Sequence, residues 1–248
     1  MTDQQITPQK SINSQSTNLK SASAYTISFS GYTWYVKTGT GAGPGPNNWN
    51  PQNVWVDADG KLHLTITYNT VTRKWDCAEV WTTTSLGFGK FEWFVDGRID
   101  LLDKNVVLGL FTYPTSSVGP DGTNEIDIEY SHWGLAGSNI GDFGVYPAKY
   151  ISNYVKWSSD FPVALNGSYT TQRFIWNTGS IKFQSLHGWV TDDTNEIFTN
   201  TFSQSRSRAK NYIPQKASPV HINLWLYQGN PPSDNSPVEV VIGKFQKY

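Results

Sequence analysis

Charge is scarce in this chain. Of its 248 residues 16% are charged, 19 basic against 20 acidic, for a formal net charge of −1; an ordinary globular protein carries about 25%. A balance this close to zero cannot build the positive field that nucleic-acid binding needs. Basic residues so thinly spread also leave no polybasic patch for an anionic membrane. Cysteine is nearly missing: Cys77 stands alone, so no intrachain disulfide can form. That neither requires nor forbids export, because large secreted domains manage without bridges. No apolar run approaches the roughly 18 residues of a membrane span, and no helix of three turns with a 3.6-residue period and caps is legible. The opening MTDQQITPQK lacks the charged-then-apolar pattern of an export leader.

Rings are what the chain has in excess: 11 Trp, 13 Tyr and 12 Phe, 15% of the residues. That content argues against global disorder, and a chain this long can bury roughly 70–75% of its unfolded surface without staples. Residues 1–24 are mostly Gln, Ser, Thr, Asn and Lys and are expected to form a disordered tail. From Tyr25 onward short strand-like runs alternate with Gly, Pro, Asn and Asp. Lys61 to Tyr68 has a period of two after the Asp59-Gly60 turn signal, and Phe91 to Val95 follows Gly87-Phe88-Gly89. Val106 to Tyr113 is nearly all apolar, as a doubly buried strand is. Gln172 to Trp176 and Ile181 to Ser185 flank the hairpin signal Asn177-Thr178-Gly179-Ser180, and Val238 to Phe245 closes the chain. Many short strands with regular turns and no internal repeat predict one all-β sandwich or barrel domain over residues 25–248.

Chemistry concentrates in Asn124-Glu125-Ile126-Asp127-Ile128-Glu129-Tyr130. In a strand, Glu125, Asp127 and Glu129 share one face, and Ile126 and Ile128 share the other. Alternating acid and isoleucine also describes any half-exposed strand with solvated acids. Against that stand the general shortage of charge, the spacing of about 6.6 Å between successive acids with no Lys or Arg nearby in sequence, and the flanking rings Phe111, Tyr113, Tyr130 and Trp133. A row of close carboxylates retains a proton at neutral pH. An ionised carboxylate beside a protonated one is what retaining glycoside hydrolysis uses. Such pairs sit roughly 5–5.5 Å apart, whereas strand positions i and i+4 are about 13 Å apart at the backbone, so the two Glu side chains must lean together on a concave sheet.

Here the chain resembles glycoside hydrolase family 16, whose signature is Glu-x-Asp-x-Glu or a form one residue longer. Glu125-Ile126-Asp127-Ile128-Glu129 is the short form, closest to the bacterial lichenase branch. The resemblance continues through Asn53 to Leu62, Asp76-Cys77-Ala78-Glu79, Gly87 to Glu92, Phe111-Thr112-Tyr113, Phe174-Ile175-Trp176 with Ser180-Ile181-Lys182, and Asn223-Leu224-Trp225. It implies a concanavalin A-like jelly-roll β-sandwich whose concave sheet binds a β-glucan. It also implies Glu125 as nucleophile, Asp127 as assisting residue and Glu129 as general acid/base, with Glu79, Trp81, Phe111, Trp133, Trp176 and Trp225 as substrate contacts. Trp176 matches a family tryptophan of either packing or binding role. Trp81 stands where lichenases carry Arg, and is expected to stack on sugar faces. Asn47 stands where the family's disulfide partner of Cys77 lies. Lys244 occupies the usual Asp of a structural calcium site, so no metal or other cofactor is expected.

Elsewhere the signals are bland. Cys77 reads as a buried, inert thiol. His63, His132, His187 and His221 show no metal-ligand spacing, although His132 follows the acid strand. Trp34, Trp49 and Trp55 are cleft or core, undecided by pattern. Gly41 to Pro46 reads as a loop, not a phosphate cradle. The expected function is a retaining endo-β-glucanase acting on β-1,3-1,4-linked glucan as a monomer, secreted or at the cell surface, with no nucleic-acid or membrane partner. A transglycosylase or an enzyme for xyloglucan or β-1,3-glucan on the same site, and a non-catalytic lectin, remain open.

Overall fold

Alternation in the sequence becomes strand after strand in the computed structural model, which describes residues 25–248; the tail expected over residues 1–24 lies outside them. In chain order the strands are β1 (Thr26–Phe29), β2 (Tyr32–Val36), β3 (Gly39–Ala42), β4 (Asn47–Trp49), β5 (Val54–Val56), β6 (Leu62–Asn69), β7 (Lys74–Thr82), β8 (Gly89–Asp96) and β9 (Val106–Thr112). They continue with β10 (Ile126–Tyr130), β11 (Gly141–Val145), β12 (Trp157–Phe161), β13 (Tyr169–Trp176), β14 (Ser180–His187), β15 (Glu196–Ser203), β16 (Val220–Leu226) and β17 (Val238–Lys247). The one α-helix among the described residues, α1 (Arg206–Tyr212), is seven residues long, in keeping with a sequence that offers no longer helical period. Gly41 and Ala42, expected in a loop, instead end β3, and the turn to β4 is left to residues 43–46.

Pairing sorts these strands into two antiparallel layers. The inner layer has the order β1–β2–β7–β16–β9–β10–β11–β12. The outer has β5–β6–β17–β8–β13–β14–β15. The long hairpin β6–β7 passes between the layers, and β4 lies parallel to β7 at that corner. Between the layers is an apolar core. From the inner layer come Val80, Leu108, Leu110, Ile126, Ile128, Phe143, Ile222 and Leu224; from the outer come Phe91, Trp93, Phe174, Trp176, Phe183 and Phe245, all buried. This is the jelly-roll sandwich the resemblance implies. Its function-bearing consequence is simple. Because β10 buries both isoleucines in this core, period-two alternation sends its acids to the opposite, concave face.

Candidate active site

Register alone lays out the concave face. Across β11, β10, β9, β16, β7 and β2 one row reads Gly144, Asp127, Phe111, His221, Trp81, Tyr35. The next row along the strands reads Asp142, Glu129, Gly109, Asn223, Glu79, and Lys37 joins it through its backbone N–H to Glu79 O at 2.9 Å. Glu125 precedes β10 by one residue and is held in register by the Tyr146 N–H to its carbonyl at 2.9 Å. The three acids therefore stand in line, Asp127 buried and flanked by two partly accessible glutamates.

Burial, then Glu125, then Glu129 push the pKa of Asp127 well above the usual carboxylate range, with Lys156 opposing. Of the three acids, the middle one is thus the one whose surroundings favour the neutral form. Its Oδ2 is fully buried and makes no hydrogen bond within the protein. Lys156 is what sequence reading missed. Just before β12, it folds back to place Nζ 2.8 Å from Asp142 Oδ2 and 3.7 Å from Glu129 Oε2. Burial works to lower its pKa, but Glu129 and Asp142 win and hold it above the ordinary lysine value. Gly144 makes this approach possible: a Cβ there would lie 2.8 Å from Asp127 Oδ2 and 3.2 Å from Lys156 Nζ. The absence of nearby cations in sequence is real, yet β11 and β12 bring one in through space.

Across the cleft, Glu79 is buried and held from both sides. Lys37 Nζ lies 2.6 Å from its Oε2, and His221 Nδ1 lies 3.0 Å from its Oε1. Burial works to raise the pKa of Glu79, but Lys37 and His221 outweigh it and keep the group below its ordinary value. Burial holds His221 below the usual histidine value. The rings in this row stand side by side. His221 is stacked on Trp81 at 10° and 5.7 Å, and on Phe111 at 30° and 5.0 Å. Tyr35 covers the other side of Trp81 at 5.5 Å. Spacing close to that between strands means the rings stand on the sheet face to face, with edges toward the cleft. Trp81, expected to stack on sugar, is stacked on one side by His221 and met at a tilt of 42° by Tyr35, and remains partly accessible.

At the other end Trp225 is nearly buried and meets Trp133 edge-on at 6.3 Å. Trp133 also meets Tyr227 at 5.6 Å, and its backbone has a positive φ of 50°. Trp176 does not join the cleft. It lies on β13 in the outer layer, 1% exposed, its Nε1 donating to Pro214 O at 2.8 Å. Its binding role is thereby corrected to packing. Trp34 is core and Trp55 lies on the outer layer against His63. Trp49 is buried beneath the Lys37 ammonium, which stands 4.1 Å from its ring. Cys77 is buried with its Sγ 3.4 Å from Asn47 Oδ1, so Asn47 does occupy the place facing it; burial pushes the thiol pKa up to about 12. His132 Nδ1 lies 2.8 Å from Ser138 O in the loop after β10. Lys244 is exposed on β17, and an ammonium there is no ligand for a cation. No cluster of three or more His, Cys, Asp or Glu among the described residues is placed to hold a metal.

No protein-family model and no curated protein sequence matches the chain. Solved structures do. A Bacillus licheniformis β-glucanase superposes with a TM-score of 0.64 at 21% identity over 92% of this chain and 99% of its own. A prokaryotic β-1,3-1,4-glucanase (lichenase) from a mouse hindgut metagenome gives 0.60 at 18% identity over 86% and 92%. An immunostimulatory antigen and pseudo β-1,3-glucanase of Mycobacterium tuberculosis gives 0.62 at 17% identity over 86% and 89%. These likenesses establish the architecture: the chain has the jelly-roll sandwich fold of the β-glucanases.

Proposed function

We propose that the protein is a retaining endo-β-glucanase. The observation that carries this reading is the line of Glu125, Asp127 and Glu129 on the concave face of a β-glucanase fold, with burial and its two neighbours favouring the neutral form of the middle member. Glu125 attacks the anomeric carbon as the glycosidic C–O bond breaks, and Glu129 gives its proton to the departing oxygen. In the second half Glu129, now a carboxylate, takes a proton from water. The water oxygen attacks the anomeric carbon and frees Glu125. Asp127, kept neutral between them, offers an O–H to ionised Glu125 and spares that carboxylate a second charge beside it. A neutral, hydroxyl-rich chain requires no opposing field, in accord with a net charge of −1. The substrate proposed is a β-1,3-1,4-glucan, the kind that the metagenome lichenase is named for.

One observation favours a second reading, a cleft that binds glucan without cutting it. Lys156 lies 3.7 Å from Glu129, and a cation there favours the ionised form, the wrong one for an acid. The test is a panel of lichenan, barley glucan, laminarin and xyloglucan with product sizing. Shortened products support the hydrolase, and products longer than the input oligosaccharide reveal transglycosylation. Retardation in affinity gels with no product at all supports the binding reading.

A further inference from the structure

The family resemblance implies Glu79 as a sugar contact, yet both of its oxygens are taken, by Lys37 and His221. A carboxylate so engaged has little left to offer a ligand. What it does is fix a tautomer. A carboxylate facing Nδ1 at 3.0 Å can only accept, so Nδ1 carries the proton and Nε2 of the neutral ring is an acceptor. Phe111 and Trp81 stack on the imidazole and Tyr113 meets it edge-on at 5.7 Å; with Nδ1 turned to Glu79, the 12% of the side chain that stays exposed is assigned to the Nε2 end of the ring. His221 is two strands from Asp127 in the same row, about 10 Å at normal strand spacing, beyond reach of the reacting atoms but within reach of a bound chain.

We infer that His221 is a specificity-determining residue: Nε2 accepts a hydrogen bond from one hydroxyl of the β-glucan, and Glu79, held by Lys37, is the positioning residue that keeps Nε2 unprotonated. The recognition is of a hydroxyl by a ring edge, not of a sugar face by a flat ring. It rests on the glucanase reading and deepens it. The sequence hid it, because His221 and Glu79 are 142 residues apart and no spacing rule joins them.

Three substitutions test it on the full chain with a mixed-linkage tetrasaccharide. H221F keeps a ring between Trp81 and Phe111 but loses the acceptor, and is expected to raise KM roughly three- to tenfold with kcat within twofold. H221Q restores an acceptor and is expected to recover most of the loss. E79Q turns an amide N–H toward Nδ1, because Lys37 retains the oxygen. That moves the ring proton to Nε2, and E79Q is expected to match H221F, with the double variant no worse than either. Loss of folding is separated by single-deoxy analogues of the tetrasaccharide. One of them is expected to bind the wild type several-fold more weakly than the parent sugar, and to bind H221F as well as the parent does. Wild-type KM in H221F, or no analogue that discriminates, overturns the inference while leaving the glucanase reading intact. If wild type neither cuts any glucan nor, as the Glu125→Gln variant, binds the tetrasaccharide in calorimetry, the glucanase reading fails and the inference falls with it.

Discussion

Two clusters of buried charge lie on opposite layers of the sandwich, built from the same materials to opposite ends. On the outer layer Glu92 is 0% exposed and faces Arg173, 1% exposed, directly across β8 and β13. Arg173 Nη2 lies 2.9 Å and Lys90 Nζ 2.8 Å from Glu92 Oε1, and Gln246 donates to Oε2 at 3.0 Å. Nη1 of the guanidinium donates to Asp193 and to the Asp192 carbonyl, and Nη2 donates to the Val190 carbonyl. Cations match acids there, and nothing is left to react. On the concave layer Asp127, Glu129 and Asp142 share Lys156, and Glu125 adds a further acid beside Asp127. The surplus of acid is what stores a proton. The matched cluster holds the fold, and the mismatched one is where the proposed chemistry would lie, at the expense of the fold.

Breaking each cluster sharpens that contrast. Glu125→Gln is expected to have the largest effect, lowering kcat by at least about a thousandfold in a reducing-end assay, since an amide cannot attack; its melting temperature should hardly move. Arg173→Met should do the reverse. It strands Glu92 without its main cation and is expected to cost about 3–5 kcal/mol in urea unfolding, with kcat unchanged in the fraction that remains folded. Asp127→Asn should stabilise. The folded-state pKa of Asp127 is raised above its unfolded value, so between them the native state holds a proton the unfolded chain has lost, and stability falls as pH climbs past about 3.8. Removing the ionisable group removes that penalty, so Asp127→Asn should melt higher than wild type at pH 7 and converge with it near pH 4, while losing activity. The smallest effect belongs to His63, bracketed by Glu239 at 2.8 Å and Asp57 at 3.1 Å on the outer layer. Burial alone would lower its pKa, but the two carboxylates outweigh this and raise it. Its stabilisation is therefore complete below about pH 6.5 and lost as pH rises through the raised value. Solvent screens the pair, so His63→Asn should lower the urea midpoint slightly at pH 5.5 and not at pH 9.

Most of the fold was legible because it is written in local patterns. The period-two run became β6, the runs beside turn and hairpin signals became β8, β13 and β14, the apolar run became β9, and the acid–isoleucine alternation of β10 declared its two faces without any structure. The line of three acids was legible for the same reason. What surrounds them was not, because register between distant strands carries no sequence signal. Lys156 and Asp142 reach Glu129 from β12 and β11, and His221 reaches Glu79 from β16. Trp81 and Trp176 show the limit for rings. A tryptophan in a strand announces packing or binding equally well, and only the neighbours on its two faces decide which.

Asn47 gives a last consequence. Its amide donates to Pro44 O at 2.8 Å and Leu226 O at 2.9 Å, and its carbonyl faces the Cys77 thiol at 3.4 Å. An amide thus ties the β3–β4 hairpin to β7 and β16 at the corner where Asn47 replaces the disulfide partner expected from the resemblance. The tie is made of hydrogen bonds that form as the chain folds, with no oxidant and no partner thiol to find. Maturation of this corner is therefore indifferent to redox conditions: the protein should refold at the same rate, and to the same activity, with or without excess dithiothreitol.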